Sequence, residues 1–346
     1  MKGLHNIGNT CFLNSCLQIF FEIPELKAAY EKHIQHAKST TIFHELFHRW
    51  VALATDQSQV ANPITFVRGV HQAAKIKGMD VFTGWAQNDV GEFIRFLLDC
   101  FHTCLQREVN INIKGTAVSE KDMLATQCYK MLEKMYHKEY SEIIDIFYAI
   151  SISEIRQVAS SNVLSHGGQS ILSHGGQSIL SQTPEMYFIL DLPIPLTQNP
   201  LSIYDCFDHY IKEETLSGEN AWYNDKTGHK EEVKKQLKFW NFPKILIIAL
   251  KRFQVSNNHI SKIDRYIQYP ERGLNLSQYV EDYFPENYVY DLFGVCNHMG
   301  SVVGGHCTSI VRPYNTNTWF LCDDAQVHPI ETAQTQYAYV LFYRRR

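Results

Sequence analysis

The sequence predicts an α+β fold, and three observations lead there. Apolar residues recur at helical spacing through roughly the first 140 residues. From residue 143 onward, β-branched and aromatic runs dominate. Helices first and strands later suit an α+β chain better than alternating βαβ units. With 346 residues, 45% hydrophobic and 20% charged, the chain has enough apolar surface for a sizeable core. The same composition excludes disorder throughout.

The elements follow in order. Over residues 9–30, Phe12, Leu13, Cys16, Leu17, Ile19 and Phe20 keep helical spacing, with Asn9 or Thr10 as N-cap. Residues 41–54 place Phe43, Leu46, Phe47, Trp50 and Val51 on one helical face, and a third helix covers 63–74. Residues 89–106 carry the strongest stripe, formed by Val90, Phe93, Ile94, Leu97, Leu98, Phe101 and Leu105. A further helix covers 122–134. Strands are expected at 143–155, 187–194, within 237–253 (ILIIALKRF), and at 289–298, 308–314, 318–322 and 337–344.

Lys plus Arg number 32 and Asp plus Glu 36, a net charge of -4, so nothing marks a strongly cationic nucleic-acid binder. No apolar run approaches the roughly 20 residues that span a bilayer. Met1 to Thr10 lacks the basic cluster and apolar run of a signal peptide. The expectation is a soluble protein of the cytoplasm or nucleus, with almost no tail at either end.

The nine cysteines are an odd, scattered set without a Cys-x-x-Cys pair, which argues against a disulfide framework or a zinc ribbon. Cys100 and Cys104 belong to an apolar helical stretch and read as core. The octapeptide LSHGGQSI occurs twice without change, at 164–171 and 172–179, and is most simply a flexible loop insertion. Its His166-Gly-Gly and His174-Gly-Gly match a lipase oxyanion loop only superficially, because no Gly-x-Ser-x-Gly elbow accompanies them.

Two constellations carry chemistry. His44-Glu45-Leu46-Phe47-His48 fits His-Glu-x-x-His, in which two helical His share a metal and the Glu acts as base. No third ligand stands at a helpful spacing, and a polar or half-buried helix face beside Trp50 accounts for the same residues. The second constellation spreads across the chain: Cys11 at a helix start, His306 after two glycines, and Asp323 and Asp324 after a strand. A thiol at a helix N-terminus faces the positive end of the dipole, which favours thiolate. An imidazole takes its proton, and a carboxylate fixes the tautomer. Gly304 and Gly305 permit close backbone approach, and Asn6 offers an amide to an oxyanion.

At these residues the chain resembles the ubiquitin-specific proteases, papain-like cysteine peptidases. GLHNIGNTCFLNSCLQ resembles that family's Cys box. HMGSVVGGHCTSIV, WFLCDD and YAYVLFYRR resemble its His box. QNDVGEFIRFLLDCFH and LIIALKRF match blocks between them, in the family's order. The resemblance implies one catalytic domain over 1–346. Its helical thumb would span 1–140, its β-sheet fingers 143–158 and 183–235 around the insertion at 160–182, and its β-rich palm 236–346. It further implies Cys11 as nucleophile, His306 as general base and acid, Asp323 as its orienter, Asp324 in support and Asn6 at the oxyanion. Gln87, Asp89 and Glu92 would lie along the extended ubiquitin C-terminus, with Asp89 pairing an arginine. Asp89 and Glu92 also supply favourable helix N-terminal charge, and the two roles can coexist. His298, Gly304 and Gly305 would border the tail channel on a loop, 299–305, that moves on binding.

Many members bind zinc in the fingers through two Cys-x-x-Cys pairs. Here Asn224 and Thr227 stand at one pair and Ser151 to Arg156 at the other, so the fingers are expected to lack zinc ligands. The implied activity is hydrolysis after the Gly-Gly end of ubiquitin through a thioester, with no cofactor. The implied partners are ubiquitin and ubiquitinated proteins, without nucleic acid or membrane, for a monomeric enzyme. The alternatives are a peptidase for another ubiquitin-like modifier, a catalytically weak ubiquitin-binding scaffold, and a metalloprotease through His44 and His48.

Overall fold

The computed structural model describes residues 1–34, 41–158, 178–196, 201–256, 259–301 and 304–346. Helices α1 (Cys11–Phe20), α2 (Pro24–Ile34), α3 (Ile42–Thr55), α4 (Ile64–Lys77), α5 (Val90–Leu105), α6 (Glu120–Glu139) and α7 (Glu142–Phe147) precede the first long strand. Strands β1 (Ala149–Gln157), β2 (Ile179–Tyr187) and β3 (Ile189–Pro193) lead to α8 (Ile203–Tyr210). Then come β4 (Glu214–Leu216), β5 (Val233–Phe239), β6 (Ile245–Lys251), β7 (Val289–Ser301), β8 (Gly304–Val311), β9 (Trp319–Asp323), β10 (Gln326–Ile330) and β11 (Ala338–Arg345). Among the described residues no helix is long and apolar enough to cross a membrane.

An eight-stranded sheet runs in the order β10-β9-β8-β7-β11-β6-β3, with the short strand Leu274–Asn275 also paired to β7. Burial on both faces of β6 explains the apolar run ILIIAL. Ile245, Ile247 and Ala249 join a core with α1, α3, α4, α5 and α7. Leu246, Ile248 and Leu250 join a second core with α8 and residues 263–290 on the opposite face. A strand buried on both faces has no polar alternation to show. A separate four-stranded sheet, β2-β1-β5-β4, packs Ile150 and Ile152 with Trp240 against Leu124, Ala125 and Cys128 of α6.

All ten residues of α1 are buried, so its N-terminal residue is fixed from every side. Gly294 of β7 makes the close approach possible: a Cβ there would stand 2.5 Å from Ile19 Cγ2. Arg252, 1% exposed, donates to the carbonyls of Ala338 (2.6 Å), Ile263 (2.8 Å) and Arg265 (2.9 Å). It thereby ties the hairpin of Phe253–Ser256 and His259–Lys262 to β11.

Three elements depart from the sequence reading. The helix expected over 9–30 is two helices, because Pro24 lacks the amide to continue α1 and instead begins α2. The strand expected over 143–155 begins only at Ala149. Ile143, Ile144, Ile146 and Phe147 form α7, all buried, their helical spacing masked by β-branched content. The strand expected over 187–194 divides at Phe188, with β2 in one sheet and β3 in the other. Asn224 Nδ2 and Thr227 Oγ1, at the position of one Cys-x-x-Cys pair of the resembling family, both donate to Glu231 Oε1 (3.0 and 2.6 Å) and close a hairpin turn. The duplicated octapeptides, His166 and His174 included, lie outside the described residues save Ser178 and Ile179.

Candidate active site

Cys11 is the first residue of α1, 4% exposed, after Thr10 at the N-cap; Asn9 takes a positive φ of 55° instead. The first amides of a helix have no carbonyl partner inside it, so the thiol sits at a donor-rich end. Strand β8 brings His306 to it, and β9 ends at Asp323. The pairing Ser309 to Cys322 sets the register of these strands. One step on, Asp323 and His306 are diagonal neighbours on one face. His306 Nε2 lies 2.7 Å from Asp323 Oδ1, which leaves Nδ1 for Cys11.

The electrostatics separate the two partners. Hydrogen bonds from Cys307, first its thiol and then its backbone amide, together with His306 hold the Cys11 thiol down to about 6 against burial. Burial alone would lower the His306 pKa, but its bonds to Asp323 and Cys11 prevail and raise it. Thiolate and imidazolium therefore stabilise one another.

Asp324, at φ 48°, turns back over the N-terminal segment. It accepts from Asn6 Nδ2 (2.9 Å) and Asn14 Nδ2 (2.7 Å), and its carbonyl accepts from the Leu4 amide (2.8 Å). Asn6 Oδ1 meanwhile accepts from the amides of Gly8 (3.1 Å) and Thr10 (3.2 Å). The Asn6 carboxamide is thus locked, with the second Nδ2 hydrogen left over.

A cleft of about 350 Å³ opens at Cys11, bounded by Gln87, Asp89, Phe253, His298, Gly304 and Gly305. Gln87 crosses it: Nε2 donates to the Gly305 carbonyl (3.0 Å), and the Gly305 amide donates to Oε1 (3.3 Å). A Cβ on Gly305 would stand 2.5 Å from His298 Nε2, so glycine is required there. The His298 ring packs edge-on to Phe253 at 5.4 Å, and burial holds its pKa low. Asp89 caps α5, accepting from the Glu92 amide (2.9 Å) and from the Tyr339 hydroxyl (2.6 Å). Glu92 is exposed in the first turn.

The His-Glu-x-x-His residues are engaged separately. His44 Nε2 lies 3.3 Å from His33 Nε2, His48 Nδ1 meets the Tyr30 hydroxyl at 3.2 Å, and Glu45 pairs with Arg49 at 3.3 Å. Among the described residues, one group of three has ligating atoms within 4.8 Å of one another: His306, Asp323 and Asp324. Within it, His306 Nε2 and Asp323 Oδ1 are engaged with one another at 2.7 Å.

Sequence reading missed Asn14, Cys307 and Tyr339. Asn14 carried a signal, a polar residue three places after Cys11 on a mostly apolar helix. Cys307 and Tyr339 carried none beyond strand alternation.

A cysteine at a buried helix N-terminus, facing a His–Asp pair on an antiparallel sheet, defines a papain-like α+β fold with a cysteine-peptidase type of site. The chain belongs to the ubiquitin carboxyl-terminal hydrolase family, whose description matches residues 2–343. It is similar to ubiquitin carboxyl-terminal hydrolase 2 of Bos taurus, 28% identical over 99% of this chain and 55% of that protein. It is likewise similar to ubiquitin carboxyl-terminal hydrolase 21 of Homo sapiens, 28% identical over 99% of this chain and 61% of that protein. The chain therefore spans between half and two thirds of these relatives. A solved SAGA Ubp8/Sgf11/Sus1/Sgf73 DUB module bound to ubiquitin aldehyde shares the fold. Its TM-score is 0.72 at 21% identity, covering 100% of this chain and 70% of that one.

Proposed function

We propose that this protein is a thiol-dependent deubiquitinase that cleaves the bond after the C-terminal Gly-Gly of ubiquitin. One observation carries the reading. Cys11, its thiol pKa held low beside the His306–Asp323 pair, opens into a cleft too narrow at Gly305 for a side chain in its own wall.

In the proposed reaction the tail enters extended, and Cys11 Sγ attacks the last glycine carbonyl. The second Nδ2 hydrogen of Asn6 and the free amides at the start of α1 receive the developing oxyanion. His306 then passes its proton to the departing amine, which leaves a thioester on Cys11. Water, deprotonated by His306, hydrolyses that ester and restores the thiol. Asp323 keeps the imidazole turned, and Asp324 keeps Asn6 turned. Asp89 retains lone pairs beyond those used by Glu92 and Tyr339, so it can cap α5 and pair a tail arginine together. The tail backbone takes over the Gly305 groups that Gln87 occupies in the free protein.

The test is a ubiquitin carrying a C-terminal thiol-reactive group. A covalent adduct on Cys11, absent from Cys11→Ala, supports the reading. Noncovalent binding without adduct by a folded protein would favour a scaffold. Adduct formation only with another Gly-Gly-ending modifier would move the substrate.

A further inference from the structure

The residue after His306 is a second cysteine, and it faces the first. The two thiols are close neighbours, each the largest influence on the other's pKa. Both thiols line the same cleft and both are free. Cys11 begins a fully buried helix and Cys307 lies within β8, so neither backbone can drift away. Two free thiols that line one cleft from packed, fixed elements are placed to close to disulfide geometry by side-chain rotation.

We infer that Cys307 is a resolving cysteine: oxidation of Cys11 by hydrogen peroxide is captured as a reversible Cys11–Cys307 disulfide. The inference rests on Cys11 being the reactive thiolate of the proposed function. In the first step the Cys11 thiolate attacks one peroxide oxygen. The O–O bond breaks, and hydroxide leaves with the His306 proton as water, giving Cys11 sulfenic acid. In the second step the Cys307 sulfur attacks Cys11 Sγ and loses its proton, while the S–O bond breaks and the hydroxyl departs as a second water. Two thiols lose two electrons and two protons, and one hydrogen peroxide is reduced. A dithiol reverses the bond by exchange.

The asymmetry of the pair fixes which sulfur is oxidised first. The bond to Cys11 and burial push the Cys307 thiol well up, while Cys11 is held low. Once Cys11 becomes a neutral sulfenic acid, the negative charge that held the Cys307 proton is gone. The product protects the site, because a disulfide cannot proceed to sulfinic acid while it lasts. Cys296 and Cys16, behind this pair, are buried with raised pKa values and are poor competitors.

The experiment exposes the whole chain to hydrogen peroxide, alkylates remaining thiols and maps peptides without reduction. Fragmentation must separate Cys11 from Cys16, and Cys307 from Cys296 and Cys322, since each set shares a tryptic peptide (Arg312 precedes a proline). The expected result is a Cys11–Cys307 cross-link, lost in Cys307→Ser and kept in Cys296→Ser. After dithiothreitol, Cys11 of the unaltered chain should return to free thiol almost fully. In Cys307→Ser several-fold more should remain as sulfinic or sulfonic acid. Absence of the cross-link, or equal recovery of Cys11 in both proteins, overturns the inference. The proposed function is judged separately. Labelling of reduced Cys11 by the ubiquitin probe without a peroxide cross-link sinks only the resolving role. A cross-link without probe labelling sinks only the deubiquitinase reading.

Discussion

Replacing His306 with alanine removes a hydrogen-bonding and charged neighbour of Cys11 and leaves the Cys307 bonds in place. With Cys11 held at about 6, about 0.9 of it is thiolate at pH 7, against ~0.03 for a free cysteine near 8.5. That advantage of about 30-fold does not reach the alkylation rate. A thiolate about 2.5 units less basic is roughly 10-fold less nucleophilic, so the net gain at pH 7 is only about 2- to 3-fold. The midpoint of the rate–pH profile is therefore the discriminating quantity. Brief iodoacetamide pulses between pH 5 and 9, read by peptide mass spectrometry, should give Cys11 a midpoint near 6. His306→Ala should raise the midpoint by about 1–3 units, the range for losing one close opposite charge. Reactive thiolate persists above the midpoint and is lost as pH falls through it. Cys100, Cys104, Cys128, Cys206, Cys296 and Cys322 are pushed to about 12 by burial and should stay unmodified while the protein is folded. A Cys11 midpoint of 8 or above in the unaltered protein, or one indifferent to His306→Ala, would refute the thiolate reasoning.

Other perturbations separate structural from functional roles. Asp89→Asn keeps an N-cap acceptor, so stability should change by less than about 0.5 kcal/mol, while KM for a ubiquitin substrate should rise several-fold from the lost charge. Equal KM with lowered stability would leave Asp89 a cap only. Asp324→Asn turns a second carboxamide toward Asn6. It should lower kcat about 10-fold with KM little changed, less than the ~100-fold or more expected of Asn6→Ala; steady-state kinetics on both variants checks the order. Arg252→Met strands the carbonyls of Ala338, Ile263 and Arg265. Urea unfolding should show a loss of about 3 kcal/mol or more, and a loss under 1 would mean those carbonyls find other partners.

What the sequence made legible follows from how each signal arises. The α5 stripe is a local pattern and stands in the structure within a residue of its reading, while Asp89, read as favourable N-terminal charge, is the N-cap itself. The run ILIIALK marked a strand because burial on both faces leaves its mark on one segment. Residues 143–147 misled because Ile and Phe suit either element, and only packing beside α5 decides for a helix. The grouping of Cys11, His306 and Asp323 was legible through motif resemblance, since residues 295 positions apart have no local signature of contact. The bonds that fix the site's finer geometry were not. Asn14 and Asn6 converging on Asp324, Gln87 bridging Gly305, and Cys307 facing Cys11 depend on strand register and on the seat of α1 over Gly294.

The central claim is that Cys11 is a nucleophile aimed at the end of a ubiquitin tail. Intact-mass and peptide mass spectrometry after incubation with a ubiquitin bearing a C-terminal thiol-reactive group tests it most directly. The account predicts one ubiquitin per chain, attached at Cys11, with none on Cys11→Ala and slower attachment on His306→Ala. Attachment at any other cysteine, or no attachment by a folded chain that binds ubiquitin, would contradict it.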